Sequence, residues 1–473
     1  MVGAMGLDQH SGHAAPLGSR ATAPAVARMC QALCAAGADG RHDDQGRSDA
    51  LDTINAAIGR NRLWEPAVNQ MRDRLHACAQ RRKPAGWQII VPKQREREMK
   101  KLEYCVTFTT PAFLGNADQL AQWRTPPFKA LLRQWWRVVS AKPHRYDHSS
   151  LREAEGNLFG NAWLTDDRGR PKFRRSHVGL RLDHWNVGGL ASQAWPGGPM
   201  ESVLTTADGK GSVRADVYLG FGPVLPPSKK EGRSSITIRG AIAPGKAAVF
   251  SLMCADSQDL VDSLQLMAWF GTLGSRARNG WGSLSLSALK TAPDVTPLPT
   301  ADHRLMSAIS REWRDCFDRD WSHAVGTVSG APLIWLTKPY QNWREVMGAL
   351  ANIRVAVRRV AKVFVGPDHI GGIHLLGYPA GGQWELSAFK KGRPSRDDEE
   401  ARLATQLRFK VCAVPDGFVG VVFHLPHRFP DALHGRLSAA QQRWLTANQE
   451  QVWAKIHDEL SQMSRLAPLG GAK

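Results

Sequence analysis

LEYCVTFTTPAFLGNADQLAQWRTPPFKALLRQWWRVV, residues 102–139, is the stretch whose reading decides the fold. Leu102, Tyr104, Val106 and Phe108 alternate with Glu103, Cys105, Thr107 and Thr109, which is the period of a strand. Pro111, Gly115 and Asn116 end it. Thr125 then stands as a helix N-cap, with Pro126 and Pro127 in the first helical positions, where a missing N–H costs nothing. Phe128, Leu131, Leu132, Trp135, Val138 and Val139 recur at helical spacing and form an apolar face. Lys129, Arg133 and Arg137 sit four apart and form a separate cationic stripe. From Gln119 to Arg152 there are seven Lys or Arg and one acidic residue, Asp147. A basic face left unpaired suits a phosphate backbone, and the plainer alternative is a solvated face. Adjacent helical positions diverge by about 100°, so only one of Trp135 and Trp136 faces the core squarely. Trp136 lies nearer the stripe and is the stacking candidate, with burial in the core as its alternative.

Composition points the same way. The chain has 473 residues, enough for more than one domain. Its 62 Lys and Arg against 43 Asp and Glu give a net charge of +19, which favours a polyanionic partner. No apolar run is long enough for a membrane span, and the N-terminus lacks the apolar core of a signal peptide. Seven scattered cysteines argue against a disulfide framework and for a reducing, cytoplasmic setting. Cys30 and Cys34, four apart, have no second close pair to complete a metal site, and no metal or cofactor is expected.

Residues 1–98 read as an extension, poorly structured or helical, either lineage-specific or an overcall of the start site, because MKKLEYCVTFTTP from Met99 is itself a natural beginning. Beyond the basic helix, Val178 to Asp183, Val213 to Gly222, Ser235 to Arg239 and Ala247 to Cys254 read as strands, and Asp256 to Phe270 as a helix. Then comes FGTLGSRARNGWGSL, residues 270–284. Gly274, Gly280 and Gly282 permit positive φ and close approach of a ligand to the backbone, and Arg276 and Arg278 offer bidentate phosphate contacts. A surface turn is the plainer alternative. The loop follows a helix and enters a strand, the reverse of a dinucleotide-binding turn. With a strand over Trp281 to Leu289, the order is βαββαβ, a ferredoxin-like or RRM-like module over residues 99–290. Residues 291–330 read as a linker. In 331–473, Ala331 to Lys338, Ile373 to Tyr378, Leu407 to Val414 and Phe418 to Leu425 read as strands. Asn342 to Val365 and Ser438 to Met463 read as helices, the first carrying Arg344, Arg354, Arg358, Arg359 and Lys362 on or near one face. This is roughly a second copy with an unclear final strand. The fold class is α+β, two ferredoxin-like modules in tandem.

TPAFLGNADQ followed by RTPPFKALLRQWWR, together with GTLGSRARNGWG, resembles the signature of RAMP proteins of type III CRISPR effectors, most of all the first-numbered subunit of the type III-B Cmr complex. Asn116 stands where that family has a second Gly, and Ala130 where it has a helix Gly. The resemblance implies a non-catalytic RNA-binding subunit. It would hold the 3′ region of a guide RNA, help capture single-stranded target RNA in antiviral defence, and contact other RAMP subunits of the ribonucleoprotein. RNA contacts would fall to Lys129, Arg133, Trp136, Arg137, Gly274, Arg276, Arg278, Gly280 and Gly282. Two alternatives stand beside it. One is a metal-independent endoribonuclease processing guide precursors, drawing on His144, His148, His177, His184 or Asp118. The other is a purely structural subunit.

Overall fold

The computed structural model describes residues 99–470 except 119, 163–164, 166–167, 191–194, 196–197, 199, 208, 210, 256, 291, 302, 379–385 and 387–402. The expected N-terminal extension, with Cys30 and Cys34, lies outside the described residues. The fold is α+β with several antiparallel sheets.

The first sheet collects β1 (Met99–Phe108), β2 (Gly179–Leu182), β3 (Ala247–Ala255) and β4 (Leu284–Leu289) in the order β2-β3-β1-β4, with all pairs antiparallel. Tyr104 of β1 sits opposite Phe250 and Ala288, so the apolar set read from the alternation faces inward, and Tyr104, Val106 and Phe108 are fully buried. Between β1 and β2 run α1 (Thr125–Ala141) and α2 (His148–Phe159), before β3 comes the short α3 (Ala215–Gly220), and between β3 and β4 runs α4 (Gln258–Phe270). The second sheet collects β5 (Ile334–Thr337), β6 (Leu407–Val414), β7 (Gly417–His424) and β8 (Leu466–Pro468) in the order β6-β7-β5-β8, again antiparallel. Its crossovers are α5 (Trp343–Val363) and α6 (Ala439–Gln462). Both sheets therefore place their first strand between the third and the fourth.

The strands of the second sheet are buried on both faces, and the reason lies in what covers them. One face, with Cys412, Val421 and Phe423, shares a core with α1 and α4, where Phe423 meets Phe270 at 4.6 Å and Trp135 at 6.3 Å between ring centroids. The other, with Leu407, Phe409, Val411 and Trp335, packs on α5 and α6. The molecule is layered as sheet, helices, sheet, helices. Lys410 projects from β6 into the helix side, fully buried, and donates to the carbonyls of Met267 (3.2 Å) and Ala268 at the C-terminal end of α4. The Met267 carbonyl also accepts from the Gly271 amide, so the ammonium adds a second bond there and serves the Ala268 carbonyl at the helix end. Burial still pushes Lys410 down to about 8.

Several local expectations are corrected. The N-cap of α1 is Arg124, extended and without a side-chain cap, and Thr125 is the first helical residue. VRADVYLGFG is a three-residue strand, Ser212–Arg214, followed by α3. Asp216 is wholly buried there, pairs with Arg214 at 3.5 Å and accepts from the Met200 and Val217 amides, local bonds that favour a turn over a ladder. Ile373 to Tyr378 holds one helical turn, Gly372–Leu375, rather than a strand. Within 291–330, read as a linker, the chain forms a short helix (Arg304–Ile309), a short strand and a 3-10 turn. The unclear final strand is β8, which pairs with β5 through Leu466 and Thr337.

Candidate nucleic-acid interface

The residues singled out in the sequence fall into two groups. The first lies on α1, whose apolar face is buried as the spacing requires. Its cationic stripe is not unpaired. Arg133 Nε donates to Glu155 Oε1 at 2.6 Å, Arg137 Nη2 to the same oxygen at 2.8 Å, and Arg137 Nε to Oε2 at 2.8 Å. Glu155 comes from α2, held in place by the Asp147 N-cap, which accepts from the Ser150 amide at 2.6 Å. Burial alone would push the Glu155 carboxyl up, but the hydrogen bonds from Arg137 and Arg133 more than offset this and hold it below its ordinary value. Lys129 donates to Ser176 Oγ at 3.1 Å, and burial, then the charge of Arg133, lowers its pKa. Trp136 is 4% exposed, edge-on to Phe159 at 5.8 Å, so its face is closed to a base.

The second group is the glycine-rich loop between α4 and β4. Its glycines do take positive φ, +98° at Gly274, +91° at Gly280 and +62° at Gly282. The close approach they allow is to the protein's own backbone, not to a ligand. A Cβ on Gly282 would lie 1.8 Å from the Leu273 carbonyl oxygen, and one on Gly274 would lie 2.7 Å from that of Phe113. The loop is clamped on both sides. Gly282 N donates to Pro111 O and Ser275 N to Phe113 O, while Thr110 Oγ1 donates to Gly280 O at 2.7 Å. On the far side Phe409 N donates to Arg278 O at 3.0 Å and Val411 N to Ser283 Oγ at 2.9 Å, which ties the loop to β6.

That tie sets arginines on both faces of β6, Arg276 beside Arg354 and Arg358 of α5, and Arg278 beside Arg408. Arg276 and Arg278 come from the loop, Arg354 and Arg358 from α5, and Arg408 from β6. Arg354 donates to Asn279 Oδ1, and Arg276 Nε donates to Phe221 O at 2.7 Å. Burial pushes Arg354 down to about 10, and the positive charges of Arg358 and Arg276 add to the shift. Arg408 is 7% exposed and is pushed down to about 9 by burial and then by Arg278. Its Nη2 reaches Ser322 Oγ at 3.3 Å, and its Nε is buried without a protein acceptor among the described residues. Both guanidiniums are buried, still charged at neutral pH, and pair with no carboxylate among the described residues, an arrangement that favours a nearby anion. Arg354 and Arg358 were visible in sequence as a basic face, but Arg408 and Phe221 were not singled out. Phe221, 56% exposed beside Arg276, offers an open ring next to these charges. Its signal was an aromatic in a Gly-rich stretch, GFG.

The side chains of two of the acid–base candidates have partners close by. His144 Nδ1 lies 2.8 Å from Ser150 Oγ, and His184 Nε2 lies 3.2 Å from Ala247 O. Asp118 is exposed, and its amide donates to Asn116 Oδ1. Among the described residues no group of three or more His, Cys, Asp or Glu is placed to hold a metal, and no helix is long and apolar enough to cross a membrane.

No family model matches the chain. No curated protein matches it either. Solved structures resemble it at low identity. Cmr1 from Pyrococcus furiosus, in its apo form, is 15% identical over 74% of this chain and 97% of that one, with a TM-score of 0.37. A chain of the type III-B Cmr-beta complex bound to cognate target RNA and AMPPnP, in the presence of ssDNA, is 11% identical over 74% and 99%, with a TM-score of 0.36. A chain of a type IV-B CRISPR complex is 11% identical over 43% of this chain and 97% of that one, with a TM-score of 0.25.

Proposed function

We propose that the chain is a non-catalytic RNA-binding subunit of a type III CRISPR ribonucleoprotein, most like the first-numbered Cmr subunit. In this reading its two sheets are tandem ferredoxin-like modules, a description that their common strand order supports. Its RNA partners are the 3′ region of a guide and a single-stranded target, and its protein partners are other RAMP subunits. The observation that carries RNA binding is the pair of exposed loop arginines, Arg276 and Arg278, backed by Arg354 and Arg358 at the first and Arg408 at the second, an arginine junction around the glycine-rich loop. The resemblance of the RTPPFKALLRQWWR and GTLGSRARNGWG segments supplies the rest, and the distant structural neighbours carry none of it.

The test compares the two groups. Arg276→Ala and Arg278→Ala each weaken binding of a single-stranded RNA roughly three- to tenfold and flatten the salt dependence by about 0.7 in log–log slope per lost phosphate contact. Arg133→Ala, whose guanidinium is committed to Glu155, changes the slope less. Wild-type affinity and slope in both loop variants, with melting temperatures unchanged, would sink the assignment.

A further inference from the structure

A cleft of about 320 Å³ opens beside α1 and α2, lined by Arg133, Arg137, His148, Arg152, Glu155 and Trp321. It is built from different residues than the arginine junction. Three guanidiniums face one carboxylate, and that carboxylate already accepts three hydrogen bonds from Arg133 and Arg137. Arg152 is exposed and makes no ion pair or hydrogen bond among the described residues. The cleft is therefore cationic at its mouth even with Glu155 in place, which rules out a metal cation as its ligand and favours an anion.

Its other wall is aromatic. The Trp321 ring is half-buried, with the His148 ring edge-on at 6.2 Å. Trp321 Nε1 is a buried donor with no acceptor among the described residues. The wall is also fixed. The Trp321 carbonyl lies 2.8 Å from His323 Nδ1, and His323 Nε2 lies 3.0 Å from Arg311 Nη1. Burial holds His323 near 4, so the imidazole is neutral at neutral pH and its two nitrogens serve one as donor and one as acceptor. Arg311 in turn is paired with Asp318 and stacked over Tyr146 at 4.3 Å. An inorganic anion needs only the guanidiniums. An indole wall beside them, in a space this size, suits a base carried on a phosphate.

We propose that this cleft binds one nucleotide 5′-phosphate, its base against Trp321 and its phosphate on Arg137 and Arg152. The nucleotide is either free or one unit of an RNA chain. The assignment stands on the cleft alone and does not depend on RNA binding at the junction.

The test titrates the full chain calorimetrically with AMP, adenosine and inorganic phosphate, and repeats the AMP titration with Arg152→Glu and Trp321→Leu. AMP should bind at least about tenfold more tightly than adenosine or phosphate, and each variant should weaken it about tenfold or more. Arg152 is a surface residue, so its variant keeps the test valid if Trp321→Leu fails to fold. A short RNA that displaces AMP from wild type assigns the site to a unit of RNA, and an RNA that leaves AMP bound assigns it to a free nucleotide. Arg276→Ala separates the two sites, because it should leave AMP binding intact whatever it does to RNA. AMP binding that is absent at millimolar concentration, no tighter than phosphate, or unchanged in Arg152→Glu would overturn the proposal.

Discussion

Two arginine-rich regions of this molecule look alike in sequence and differ in physical state. On α1 the stripe meets a buried carboxylate from α2, and Glu155 takes up both Arg133 and Arg137. Around the glycine-rich loop, Arg354 and Arg408 are buried, pair with no carboxylate among the described residues, and are depressed first by burial and then by neighbouring arginines. The first arrangement stabilises the fold. The second costs stability, which binding of an anion would recover. A row of like charges on a helix is therefore not by itself a binding surface. What decides is whether another element supplies the counter-charge.

Acid should have the largest effect, and on both regions, because burial holds His323 beside the α1 cleft as well as His427 beside Arg408 near 4. His427 is buried close to Arg408, and burial with that charge holds it near 4, against 6.5 when unfolded. Above pH 6.5 it is neutral in both states and its contribution is fully present. As pH falls, the unfolded chain takes the proton first, so stability drops progressively down to about pH 4, by on the order of 3 kcal/mol for a shift of this size. Glu155, held low, stays ionised through the same window. Thermal melts at pH 7, 6 and 5 should show the loss, and bound single-stranded RNA should blunt it, because the new charge falls beside the junction. An equal loss with and without RNA would break the link between crowding and binding.

Glu155→Gln converts the first region into a likeness of the second. Removing the shared carboxylate should cost about 2 kcal/mol of stability, since the arginines are partly exposed and rehydrate in part. The freed guanidiniums should steepen the salt dependence of RNA binding by about 0.7 in log–log slope. Lost stability with an unchanged slope would place the stripe off the path of the RNA. The smallest effect belongs to Lys129→Ala, expected to change stability by less than about 0.5 kcal/mol and RNA affinity less than about twofold. A loss as large as that of Arg278→Ala would erase the distinction between the regions.

The sequence was most legible where one pattern acted alone. The alternation of β1, the apolar face of α1 and the boundaries of β6 all stand where periodicity puts them. It was least legible where a distant element decided the outcome. Glu155 lies 18 residues beyond Arg137, on another helix, and no spacing rule joins them. Arg408 reads as one charge in a strand, and its company from the loop appears only once the sheets are layered. Residues 215–220 carry strand-like composition but form a short helix, in whose first turn the buried Asp216 accepts from the Val217 and Met200 amides. The three residues of β8 are too few to show any period. The loop glycines were found for their conformation, but what presses against them is carbonyl oxygen from Phe113 and Leu273, which only the folded chain reveals.

Lys410 has a consequence for the chain as a whole. Its ammonium, rooted in the second sheet, satisfies carbonyls at the end of a helix that belongs to the first. If the polypeptide were cut within 291–330 and the halves parted, the first would lose a donor to its Met267 and Ala268 carbonyls and the second would expose Lys410 with the apolar face around it. Neither half is chemically complete. The strand that carries Lys410 thus completes a helix end in the other sheet's layer, and the two sheets stand as one unit.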